Sequence, residues 1–124
     1  MVIDTSAVIA ILEREDDAAG LIASLAVHRI RVMSAVSLLE ASIVVESRAG
    51  AEGLARLDAL VATAAIEIVQ FDARQVAVAR EAYATYGKGR HQARLNMGDC
   101  ASYALARIRN EPLLFKGNDF IHTD

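Results

Sequence analysis

At 124 residues with a net charge of −3, the chain is long enough to bury one core and too acidic to hold nucleic acid by bulk charge. A mean hydropathy of +0.29 is high, yet no apolar run approaches the ~20 residues of a membrane helix, and Asp4 interrupts the first apolar segment with no basic stretch before it, which argues against a signal peptide. The single cysteine offers no disulfide framework, so a reducing, cytoplasmic setting is expected. Affinity for a phosphate backbone would therefore need a local basic patch or a bound cation. The Ala/Val/Leu surplus points to apolar surface covered in a dimer or a partner complex.

Val2-Ile3 reads as a short buried strand with Asp4 at its exit. Asp4, Thr5 or Ser6 can cap the helix that follows, which carries Val8, Ile11 and Leu12 at helical spacing. Glu13 to Asp17 closes that helix and gives an acidic start to a second, with Leu21, Ile22 and Leu25 on its inner side. Residues 29–33 alternate polar and apolar, the period of a strand. Ser34 is a good N-cap for a helix over 35–48, with Gly50 just past its end. Residues 51–64 repeat the helical pattern through Leu54, Leu57, Leu60 and Val61. A strand is expected over 66–71, then a helix opened by an Asp72/Gln75 capping box and stopped at Gly87. An irregular basic loop spans 87–94. Asn96 caps a helix over 97–109, Pro112 ends it, and a strand over 113–115 leads into the turn Gly117-Asn118-Asp119. Strands alternating with helices predict one α/β domain over 1–124, a three-layer α/β/α arrangement around a mainly parallel sheet of about four strands.

Four acids stand out against that frame: Asp4, Glu40, Asp99 and Asp119. Each has an ordinary alternative. Asp4 can be a helix cap, Asp99 can complement a helix N-terminus in its Asn-x-x-Asp frame, and Asp119 can be a turn residue. Glu40 is harder to dismiss, because Val36, Ser37, Ile43 and Val44 give its helix face little charge, and a buried unpaired carboxylate is costly. Gly98 beside Asp99 lowers helix propensity at a place suited to close approach. Taken together, acids at strand exits and inner helix faces of a parallel sheet are what a hard divalent cation requires. Such a site suits phosphodiester hydrolysis. Lys88, Arg90, His91 and Arg94 would flank it and face phosphate.

Other constellations fail. His28, His91 and His122 are far apart in sequence and have one cysteine between them, so zinc is not expected. Cys100 shares a helix face with Met97, Ala104 and Ile108 and reads as core filler. There is no Gly-x-Gly-x-x-Gly or Walker A run, no nucleophile elbow around Ser6, and no second Asp two residues after Asp4.

The segments Val2-Ile3-Asp4-Thr5-Ser6-Ala7, Ser37-Leu38-Leu39-Glu40-Ala41 and Asn96-Met97-Gly98-Asp99-Cys100-Ala101 resemble those of PIN-domain ribonucleases. Gly87-Lys88-Gly89-Arg90-His91 and Leu113-Leu114-Phe115-Lys116-Gly117-Asn118-Asp119-Phe120 narrow the resemblance to VapC toxins of bacterial type II toxin–antitoxin modules. It implies a Mg²⁺- or Mn²⁺-dependent endoribonuclease that cuts tRNA, rRNA or mRNA, stops translation and growth, forms a homodimer and is blocked by a VapB-like antitoxin. By motif, Asp4 and Asp99 become direct metal ligands, with Glu40 and Asp119 acting through water. Thr5, Ser6, Asn118 and Arg90 would position substrate. Hydrolysis would leave a 3′-hydroxyl and a 5′-phosphate. The family's chains continue past the final Thr-Asp to a further edge strand, whereas this sequence stops at Thr123-Asp124, so Asp124 is given no role. Two competing readings are a non-catalytic PIN-fold module that only binds RNA or a partner, and a Mg²⁺-dependent phosphatase.

Overall fold

A computed structural model describes residues 1–87, 89, 94–117, 120, 121 and 123. In chain order these form β1 (Val2–Ile3), α1 (Thr5–Leu12), α2 (Ala18–Ala26), β2 (Val32–Ser34), α3 (Ala35–Thr63), β3 (Glu67–Val69), α4 (Ala73–Tyr86), α5 (Met97–Arg109) and β4 (Leu113–Leu114). The strands pair in parallel in the order β3-β2-β1-β4, with Val2 in register with both Val32 and Leu113. Period-two alternation sends neighbouring side chains to opposite faces. Val2 and Val32 meet Leu105 of α5 on one face, while Ile3 and Met33 meet Ala7, Val8, Leu21, Leu25, Ala41, Val45 and Leu57 from α1, α2 and α3 on the other. The result is the α/β/α layering expected from the sequence. Among the described residues no helix is long and apolar enough to cross a membrane.

The order of the strands fixes where a ligand can sit. From β1 the chain steps to β2 and β3 on one side, then returns through α4 and α5 to place β4 on the other side of β1. The connection leaving β1 runs to one side of the sheet and the one leaving β3 returns to the other, past the carboxyl end of β1, where a crevice opens in parallel sheets. Asp4 leaves β1 at that point, and its backbone N–H donates to the Leu114 carbonyl at 2.9 Å.

Several local expectations need correction. Strand β2 begins at Val32, not at residue 29. The alternation was misleading because the Arg31 guanidinium reaches back to the Ala64 carbonyl at 2.8 Å, at the C-cap of α3 where cationic charge is favoured. Strand β3 covers only 67–69 of the expected 66–71. Ile22 is 50% exposed, so of the three residues expected on the inner side of α2 Leu21 and Leu25 lie there, joined by Ala18. The two helices expected over 35–48 and 51–64 are both present, as the two halves of α3 on either side of Gly50, whose φ of 59° and ψ of −146° interrupt the helical run as expected. A side chain there would be strained, which is why glycine marks the break. The Asp72 side chain accepts from the Gln75 N–H at 2.9 Å, but the Gln75 amide turns to the Gln70 carbonyl, so only half of the capping box exists.

Candidate active site

Asp4 is the N-cap of α1 and is almost fully buried. Its Oδ2 accepts from the Ser6 N–H at 3.0 Å and the Ser6 hydroxyl at 2.6 Å. Its Oδ1 accepts from the Ser102 hydroxyl at 2.6 Å. The capping role and a site role are thus compatible, since one oxygen faces the helix it caps and the other reaches across to α5.

Asp99 stands in the first turn of α5, buried, in a complete capping box. The Asn96 N–H donates to Asp99 Oδ2 at 3.0 Å, and the Asp99 N–H donates to Asn96 Oδ1 at 2.9 Å. Reciprocal bonding of this kind fixes both the start of the helix and the direction of the carboxylate.

Glu40 comes from α3 and is half-buried, with Leu39 and Ile43 beside it exposed. The face expected to be an inner one is therefore a rim. Its carboxylate nevertheless lies against α5: a Cβ built on Gly98 would fall 2.5 and 2.7 Å from the two Glu40 oxygens. Gly98 is the residue before Asp99, so the missing side chain is what lets Glu40 approach that helix. Among the described residues neither Asp4 nor Glu40 forms an ion pair.

The two hydroxyls after Asp4 have internal partners. Thr5 Oγ1 donates to the Ser37 carbonyl at 2.9 Å, which docks α1 on α3. Ser6 Oγ accepts from the Lys116 N–H at 2.9 Å, which ties the segment after β4 to Asp4. The Lys116 ammonium pairs with Glu15 and Asp17 at the start of α2. Asp119, Asn118 and Arg90 lie outside the described residues, as do Lys88, His91, His122 and Asp124.

Ser37 and Ser102 escaped the sequence reading. Both are fully buried, with their hydroxyls 3.0 Å apart. A signal was present: Ser37 lies one helical turn before Glu40 and Ser102 one turn after Asp99, each on an otherwise apolar inner stripe.

Cys100 is buried in a cluster with Ala82, Leu95 and Phe120, and Met97, expected on the same face, is 79% exposed. Burial first, and the Asp99 charge second, push the thiol up to about 11. A thiol so shifted stays protonated near neutrality and is a poor nucleophile.

The acids brought to this end of the sheet, Asp4, Glu40 and Asp99, offer only oxygen, the type that Mg²⁺ or Mn²⁺ prefers. Among the described residues no three or more His, Cys, Asp or Glu side chains form a group that could hold an ion by themselves. A cation that takes one or two carboxylates directly and fills its remaining positions with water does not require such a group. The Gly98 notch fits such a cation, since it lets a third carboxylate approach the Asp99 turn.

The PIN domain family matches residues 1–124, and the chain belongs to that family. Among its relatives, Ribonuclease VapC30 of Mycobacterium tuberculosis is 52% identical over 124 residues, covering 100% of this chain and 95% of that protein. Ribonuclease VapC of Mycolicibacterium smegmatis is also 52% identical, covering 100% of this chain and 96% of its own length. The crystal structure of Mycobacterium tuberculosis VapC20, described as a Sarcin-Ricin loop cleaving toxin, superposes with a TM-score of 0.75 at 16% identity, covering 97% of this chain and 92% of that one. At that identity the superposition speaks for the fold alone.

Proposed function

We propose that this chain is a VapC-type toxin, a divalent-metal-dependent endoribonuclease acting as one domain over 1–124 in the cytoplasm. The observation that carries the reading is the approach of the Glu40 carboxylate to Gly98, beside Asp99, at the end of the sheet where Asp4 is tied to the same helix through Ser102. The full-length likeness to VapC ribonucleases supports the same activity.

Asp4 and Asp99 would hold Mg²⁺ or Mn²⁺ directly, with Glu40 and Asp119 acting through water. A divalent ion so held lowers the pKa of water and neutralises charge developing on the phosphate. The chain's own part is to hold the carboxylates ready. The Asn96–Asp99 box and the Ser6 and Ser102 donors fix two of them before substrate arrives, so little reorganisation remains at the moment of reaction. Water then attacks phosphorus in line, the bond from phosphorus to the 3′-oxygen breaks, and a 3′-hydroxyl and a 5′-phosphate result. Cutting tRNA, rRNA or mRNA in this way would stop translation and growth, and a VapB-like antitoxin would neutralise it.

Metal-depleted protein should leave RNA intact, and Mg²⁺ or Mn²⁺ should restore cutting. Cleavage that survives EDTA would refute the reading.

Self-association belongs to the same proposal. A groove of about 1050 Å³ runs between α3, α4 and α5, with Val36, Phe71 and Cys100 in its lining, and Leu39, Val76, Tyr83 and Met97 exposed along it. Apolar side chains in such continuity favour a covered face. Sedimentation equilibrium should give a homodimer that Met97→Glu converts to monomer. A wild-type monomer at all concentrations would remove this part of the proposal.

A further inference from the structure

We infer that Ser102, with Ser37 behind it, is a positioning residue that aims the Asp4 carboxylate for an oxygen-preferring divalent cation. The inference rests on the metal-dependent reading above.

The hydroxyls have a determinate order. A carboxylate offers only lone pairs here, so in the 2.6 Å contact Ser102 donates to Asp4 Oδ1. Its one proton is then in use, so across the 3.0 Å gap Ser37 must donate to Ser102. Protons therefore run from Ser37 to Ser102 to Asp4. On the other side, the Ser6 N–H and hydroxyl hold Oδ2. With donors on both oxygens, the plane of the carboxylate cannot turn without breaking a charge-assisted hydrogen bond.

Packing alone gives no reason for serine at these places. Ser102 is fully buried on α5, one turn before Leu105 and Ala106, where alanine would fit, and burying a hydroxyl costs free energy unless it is paired. Paired, it links three elements that each bring an acid: the exit of β1, the first turn of α5 and the start of α3. Truncating Ser102 removes the links from α5 to Asp4 and to Ser37 while deleting a single oxygen atom, and leaves the Thr5–Ser37 bond between α1 and α3 in place. Partners that orient a metal ligand typically change affinity by about 10–100-fold when lost.

The experiment is a Mn²⁺ titration followed by the electron paramagnetic resonance of the free ion, with thermal melting and RNA cleavage in parallel. Ser102→Ala should bind Mn²⁺ about 10–100-fold more weakly than wild type. Its melting temperature should fall by several degrees, since the Ser37 hydroxyl and Asp4 Oδ1 each lose a buried partner, but the protein should remain folded and its lost cleavage should return as Mn²⁺ is raised. Ser37→Ala leaves the donor to Asp4 in place and should cost affinity by less than Ser102→Ala. Equal Mn²⁺ affinity in wild type and Ser102→Ala would overturn the positioning role alone. So would a loss of cleavage that no concentration of Mn²⁺ reverses, which is the mark of a merely structural defect. A wild-type protein that binds no Mn²⁺ would overturn the metal-dependent reading and this inference with it.

Discussion

Asp4→Asn is expected to lower metal-dependent RNA cleavage by about 10²–10³-fold, the scale of losing several kcal/mol of charge stabilisation, while the protein stays folded. The structure explains why folding should survive. Both oxygens of Asp4 accept hydrogen bonds, so an amide at this place must direct its NH₂ group toward a donor. Turned toward Ser6, the NH₂ would lose the cap. Turned toward Ser102, it meets a hydroxyl that can reverse, since Ser102 can accept from the amide and donate to Ser37 instead. The cap on α1 is then retained through the remaining carbonyl oxygen, and asparagine is as good an N-cap as aspartate. Stability should change by no more than about 1 kcal/mol. Cleavage and urea unfolding measured on the same preparations separate the roles. If Asp4→Asn unfolds at much lower urea and loses activity in proportion, Asp4 is chiefly a structural cap.

The reversibility of that relay shows what kind of information the sequence carried. Asp4, Ser34, Asp72 and Asn96 all cap helices as their positions suggested, because a cap is a local bond within two or three residues. Gly50 was equally legible as a break, because its backbone angles suit glycine alone. The acids could be assigned to strand exits and helix turns, since the parallel alternation fixes which ends of the strands meet. Their supports could not. Whether a serine on a helix is a solvent-facing filler or a buried donor depends on which helix packs against it, and Ser37 and Ser102 are 65 residues apart. The start of β2 failed for a related reason, since Arg31 looked like the wet side of a strand until the end of α3 arrived beside it. Glu40 combined both cases: its isolation among apolar neighbours was visible, but the neighbour that receives it, Gly98, belongs to another helix.

Gly98→Ala should separate activity from stability in a way few substitutions can. Alanine is the better helix former by roughly 0.5–1 kcal/mol, so α5 itself has no reason to weaken. The new methyl would sit 2.5 to 2.8 Å from the Glu40 carboxylate, too close for any real contact. What gives way is the far end of a flexible, half-buried side chain, and moving it costs the fold little. It costs the site the third carboxylate, so cleavage is expected to fall by about 10–100-fold at an unchanged or slightly raised melting temperature. A double-mutant cycle identifies the cause. Once Glu40→Ala has removed the carboxylate, the overlap with it is gone and Gly98→Ala should have no further effect on cleavage. Additive losses in the double mutant would mean that Gly98 serves the site by some route other than admitting Glu40. A large fall in melting temperature for the single mutant would mean that backbone freedom at the start of α5, and not the approach of the carboxylate, is what the glycine provides.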